Sequence, residues 1–83
     1  MLELHFFGRL GDLSGEIDTS IDYGDFLSTP SAIVDWIALE HPALAKELLQ
    51  PQVLVAVNRV VVDWNKAVVD GDEVAFLPPV TGG

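Results

Sequence analysis

Gly82 and Gly83, set behind Pro78 and Pro79 in the closing stretch "PPVTGG", are the residues whose types and order point most directly to chemistry. Proline fixes φ and has no N–H for ladder pairing, so a preceding strand must stop here and the chain must project from the body. Six residues reach about 20 Å when extended. Glycine carries no side chain, so a narrow partner site can enclose Gly82 and Gly83 and bring its own reactive groups to the terminal carboxylate. Val80 and Thr81 lie between the prolines and the glycines.

No second centre of chemistry can be assembled from the rest of the chain. His5 falls on the polar side of a strand and His41 precedes a proline at a helix end. Neither has a carboxylate or second histidine at metal-ligand spacing, so structural roles and no metal site are expected. The acids of "VDGDEV" lack the alternating ligand pattern of a calcium loop and read as a solvated turn. "FFGRLG" has no strand-to-helix context and no following lysine, so it is not a phosphate loop. Trp36 and Trp64 lack the basic surroundings of a base-stacking platform and are expected to pack. There is no cysteine, which excludes disulfides, thiolate nucleophiles and zinc–thiolate sites.

The tail needs a body to position it. "MLELHFFG" alternates Leu2, Leu4 and Phe6 against Glu3, His5 and Phe7, the period of a half-buried strand that Gly8 ends. After the Gly- and Asp-containing connection "RLGDLSG", "EIDTSIDY" is a weaker strand with Ile17, Thr19, Ile21 and Tyr23 on one face, a hairpin partner for the first. Thr29 as N-cap and Pro30 at the first helical position open a main helix, with Ile33, Trp36 and Ile37 at helical spacing. Pro42 ends it, and a short second helix, "ALAKELL", runs to Pro51 with Leu44 and Leu48 on one side.

Two further strands in "QVLVAVNRVVVDW" meet at an Asn58-Arg59 turn, which places Val57 opposite Val60. Val53, Val55, Val57, Val60 and Val62 then share a face and Val61 lies on the other. An Asp70-Gly71-Asp72 turn leads to a last strand with Val74 and Phe76 inward and Glu73, Ala75 and Leu77 outward. This order predicts an α+β fold: a mixed five-stranded sheet with one main helix and a short second helix, the first and last strands parallel at its centre. That is the ubiquitin-like β-grasp arrangement. Residues 1–77 are expected to form the domain and 78–83 a flexible C-terminal tail. Phe7, Val61 and Leu77 fall together on the face away from the helices, an apolar patch at the root of the tail.

Composition bounds the partners. The chain has 83 residues, 49% of them hydrophobic, enough for one modest core and too few for a deep internal chamber. Thirteen acidic residues against four basic ones give a net charge of −9, which disfavours nucleic acid and anionic membranes and suits a basic protein partner. The first residues lack the pattern of a signal peptide and no apolar run is long enough to span a bilayer, so a cytoplasmic protein is expected.

"FFGRL", "VAVNRVVV" and above all "GDEVAFLPPVTGG" resemble the small subunit of molybdopterin synthase, the MoaD-type ubiquitin-like sulfur carriers related to the thiamine-pathway carriers. The resemblance covers nearly the whole chain. It implies that an E1-like adenylyltransferase uses ATP to adenylate Gly83, that a sulfur donor converts it to a thiocarboxylate, and that Gly82 gives access. It further implies that the tail, Pro78 to Thr81 included, enters the large synthase subunit and gives sulfur to cyclic pyranopterin monophosphate, in a complex with two copies of each subunit. Phe7, Val61 and Leu77 match the family's partner-binding surface. No cofactor would be bound permanently, and the chain would be a non-catalytic carrier. A ubiquitin-like protein modifier, or a carrier for thiamine or tRNA thiolation, is the alternative.

Overall fold

The computed structural model describes residues 1–14 and 19–78. Within them the sheet is five-stranded, in the order β2-β1-β5-β3-β4. The strands are β1 (Leu2–Phe6), β2 (Ser20–Ile21), β3 (Leu54–Val57), β4 (Val60–Val62) and β5 (Glu73–Leu77). β1 and β5 are parallel neighbours at the centre, with Glu3 beside Glu73 and Phe6 beside Phe76. The other pairings are antiparallel. The expected central pair of first and last strands is therefore present, and the crossover from edge strand β2 to β3, on the far side of β5, is largely helical.

Three helices are described, one more than the sequence suggests: α1 (Arg9–Ser14), α2 (Pro30–Ala38) and α3 (Pro42–Leu48). The additional one is α1, read from sequence as a loop because of its glycine. Gly11 is there for a different reason: a Cβ at this position would lie 2.8 Å from the Phe6 carbonyl oxygen, so only glycine lets the helix lie against the end of β1. Buried Leu10 fastens α1 to the core.

The remaining helical signals act as expected, with one shift. Thr29 Oγ1 accepts the Ala32 N–H at 3.1 Å and Pro30 opens α2. Ile33, Val34 and Ile37 are buried along its inner side. α2 stops before Pro42, which instead begins α3, whose Leu44, Ala45 and Leu48 are buried. β2 is shorter than the expected strand: Ile21 is buried and pairs with Leu2, whereas Tyr23 leaves the ladder and donates its hydroxyl to the Val68 carbonyl at 3.0 Å. Ile17 and its immediate neighbours lie outside the described residues.

The core lies between the sheet and the helices. Leu2, Leu4, Val55, Val74 and Phe76 from the strands meet Ile33, Ile37, Leu44 and Leu48 from the helices. Trp64 stacks on Phe76, ring centroids 6.0 Å apart, which agrees with a packing role for this tryptophan. Val60 pairs with Val57, on the face expected of it. It starts edge strand β4 directly after the turn and is exposed.

Candidate docking site

The face of the sheet opposite the helices is built by strand alternation. Across it runs the row His5, Ala75, Ala56, Val61, each residue the registered partner of the next. The next row pairs Leu54 with Leu77, and Phe7 follows β1 beside it, its N–H donating to the Phe76 carbonyl at 3.1 Å. β5 and β3 carry the alanines Ala75 and Ala56, and the flanking positions carry larger side chains. The outcome is a shallow trough of about 420 Å³, lined by His5, Phe7, Ala56, Val61, Ala75 and Leu77, with Arg59 and Glu73 at one end. Phe7 is 48% exposed, Val61 57% and Leu54 45%. Large apolar side chains held open on one rigid face are the usual mark of a protein-binding surface.

Phe7, Val61 and Leu77 thus sit where strand parity places them. Leu54, Ala56 and Ala75 belong with them although sequence reasoning left them out of the site. The signal was present: Leu54 and Ala56 have the opposite parity to Val53, Val55 and Val57, and register on β5 brings them to Leu77 and Ala75.

The hairpin that carries Val61 is fixed by Asn58. Asn58 and Arg59 have φ of 50° and 72°, the positive values that a two-residue hairpin turn requires. The Asn58 side chain donates to Asp72 Oδ1 at 2.9 Å and accepts the Glu73 N–H at 3.0 Å. Asp72 Oδ2 accepts the Val69 N–H at 2.9 Å. The "VDGDEV" acids therefore include a turn-forming residue that pins β3–β4 to the start of β5.

The polar end of the trough departs from the spacing argument. Glu3, His5 and Glu73 present ligand atoms within 4.8 Å of one another, because the parallel register puts residues 70 positions apart side by side. His5 Nε2 lies 3.7 Å from Glu3 Oε2 and 3.8 Å from Glu73 Oε2 and makes no hydrogen bond among the described residues. Arg59 Nε stands 3.7 Å from Glu73 Oε1. The three side chains have donor types that can hold a cation, and surface groups of this kind are common without one. His41 forms no such set among the described residues; it is the N-cap of α3, and its backbone N–H donates to the Ile37 carbonyl at 2.8 Å.

The exit of the tail is held at the same place. Gly8, directly after Phe7, has φ +58°, and a Cβ on it would come within 2.9 Å of Pro78 Cγ. The Pro78 ring therefore rests on a position that only glycine fills without strain. Pro79, Val80, Thr81, Gly82 and Gly83 lie outside the described residues. Among the described residues no helix is long and apolar enough to cross a membrane.

The strand order and the central parallel pair are those of the ubiquitin-like β-grasp fold. The chain belongs to the ThiS family, whose model matches residues 4–83. It is 37% identical over 83 residues to the molybdopterin synthase sulfur carrier subunit of Haemophilus influenzae, each chain covered in full, and the Escherichia coli subunit of that name matches with the same figures. Among solved structures it resembles small archaeal modifier protein 1 of Haloferax volcanii at 25% identity and a TM-score of 0.73, covering 95% of this chain and 97% of that one.

Proposed function

We propose that this chain is the sulfur carrier subunit of a molybdopterin synthase. The observation that carries the reading is the trough of Phe7, Val61 and Leu77 beside Pro78: a surface able to hold a partner while the tail is threaded into it. The match of relatives over their whole length and of the family model to residue 83 supports giving Gly83 the carrier role.

In this reading the Gly83 carboxylate attacks the α-phosphorus of ATP on an E1-like enzyme and pyrophosphate leaves. The acyl-adenylate is then displaced by sulfur from a donor, releasing AMP and leaving a thiocarboxylate. Adenylation is needed because a carboxylate resists nucleophiles and has no adequate leaving group. Sulfur held on the main chain needs no cysteine, consistent with a chain that has none. The thiocarboxylate enters the large synthase subunit, which supplies the catalytic groups, and gives its sulfur to cyclic pyranopterin monophosphate. Gly82 keeps the approach narrow. The chain itself contributes docking and delivery, in the cytoplasm, within an assembly of two copies of each subunit.

Extending the chain by one residue after Gly83 tests this. Sulfur transfer should be lost while trough-dependent binding to the large subunit and the melting curve stay unchanged; continued transfer would rule out the terminal-glycine role. The similarity to an archaeal modifier protein favours one second reading, conjugation of Gly83 to lysines of other proteins. It requires Gly83 isopeptides on target proteins, which a synthase subunit does not.

A further inference from the structure

We propose a second docking site, on the helical side at the β2 edge, for a basic amphipathic segment of a partner protein. Met1, Ile21, Phe26 and Trp36 line a groove of about 380 Å³, and Trp36 also borders a smaller one of about 100 Å³ with Leu39 and Glu40. The two grooves form one apolar strip that shares no residue with the trough. β2 and β4 are opposite edges of the sheet, so this strip and Val61 are far apart in the strand order.

Phe26 is 62% exposed and Leu39 79%, so most of each of these large apolar side chains is held in water here. Phe26 is also fixed in place. It lies in a 3-10 turn, Asp25–Leu27, closed by the Leu27 N–H donating to the Gly24 carbonyl at 2.8 Å. Its ring lies on Gly24, where a Cβ would come within 2.6 Å of ring atom Cε1. An aromatic carried on a closed turn and resting on the backbone has fewer positions to lose on contact, a property that suits an anchor residue.

Charge identifies the occupant. Asp22, Asp25, Asp35 and Glu40 surround the strip in sequence and are all exposed. No lysine or arginine occurs anywhere between Arg9 and Lys46. Among the described residues none of these four acids has an ion-pair partner. Asp22 lines the larger groove and Glu40 the smaller, so apolar side chains flanked by unpaired carboxylates fit a segment that carries lysines or arginines around apolar side chains. A second copy of this chain would bring the same negative charge to the same place, and nucleic acid would be repelled. Because the two surfaces are separate, a partner here can remain bound while the trough and tail are engaged.

The test is titration of the ¹⁵N-labelled chain with a synthetic amphipathic helix of leucine and lysine, and with the same helix carrying glutamate for lysine. The basic peptide should bind saturably, shift Phe26, the Trp36 indole and Leu39, and weaken as salt is raised. Phe26→Ser should weaken it roughly tenfold or more, as should Leu39→Ser if it shares the anchor role. Asp22→Lys should weaken it further at low salt than at high salt. Both serine variants replace exposed side chains, and either one with a native-like spectrum suffices. Largest shifts at Phe7, Val61 and Leu77 would overturn the proposal, as would equal binding of the glutamate peptide or an unchanged affinity in the serine variants. Concentration-dependent shifts at Phe26 without peptide would assign the strip to a second copy instead and overturn it too.

Discussion

Replacing Phe7 by alanine separates a docking residue from a core residue. The ring is 48% exposed, so about half of a phenylalanine's area, on the order of 100 Å², remains for a partner to cover. At about 25 cal/mol per Å² this is about 2.5 kcal/mol of binding, or a Kd raised roughly 60-fold. The half already covered by the fold sets an upper bound of similar size on the stability loss, and the compactness of unfolded chains lowers it. Fully buried Phe76 is the internal control, and its truncation should cost about 3–5 kcal/mol. The assays are calorimetric titration with the large subunit of molybdopterin synthase and urea unfolding of the free chain. Unchanged affinity for Phe7→Ala, together with a stability loss equal to that of Phe76→Ala, would show that the ring serves the core and that the trough is not the docking surface.

Gly8→Ala meets both a positive φ and the Pro78 ring, so it should destabilise by about 1–2 kcal/mol and redirect the tail, read as a lower rate of sulfur transfer at saturating partner. Asn58→Gly should keep the turn and lose the side-chain bonds to Asp72 and Glu73, costing about 1–2 kcal/mol in urea unfolding; Asn58→Val should cost more, because a β-branched residue resists φ of 50°. Leu48→Ala empties a fully buried site under α3 and should cost about 2–5 kcal/mol with no effect on partner affinity per folded molecule.

Local signals made most of the fold legible. Asn58-Arg59 marked the hairpin, and one correct turn set the parity of every valine in it, so Val61 could be placed outward before any contact was known. Thr29-Pro30 marked the start of α2 for the same kind of reason, a local demand for N–H partners. What escaped was set by contacts remote in sequence. Gly11 looks like a turn residue until the Phe6 carbonyl is seen against it. Glu3, His5 and Glu73 meet only through the parallel β1–β5 register. Ala56 and Ala75 carry no clear preference for core or surface, and their role as the floor of the trough depends on the large side chains that flank them. Phe26 fell between recognised elements, so no periodicity exposed it.

The carrier role stands most directly on the atom at the end of the chain. Incubation with ATP, a sulfur donor and the activating enzyme, followed by intact-mass measurement, should show one oxygen exchanged for sulfur, localised to Gly83 by fragmentation. A chain of unchanged mass under conditions that thiolate a known carrier, or sulfur found on any other residue, would contradict it.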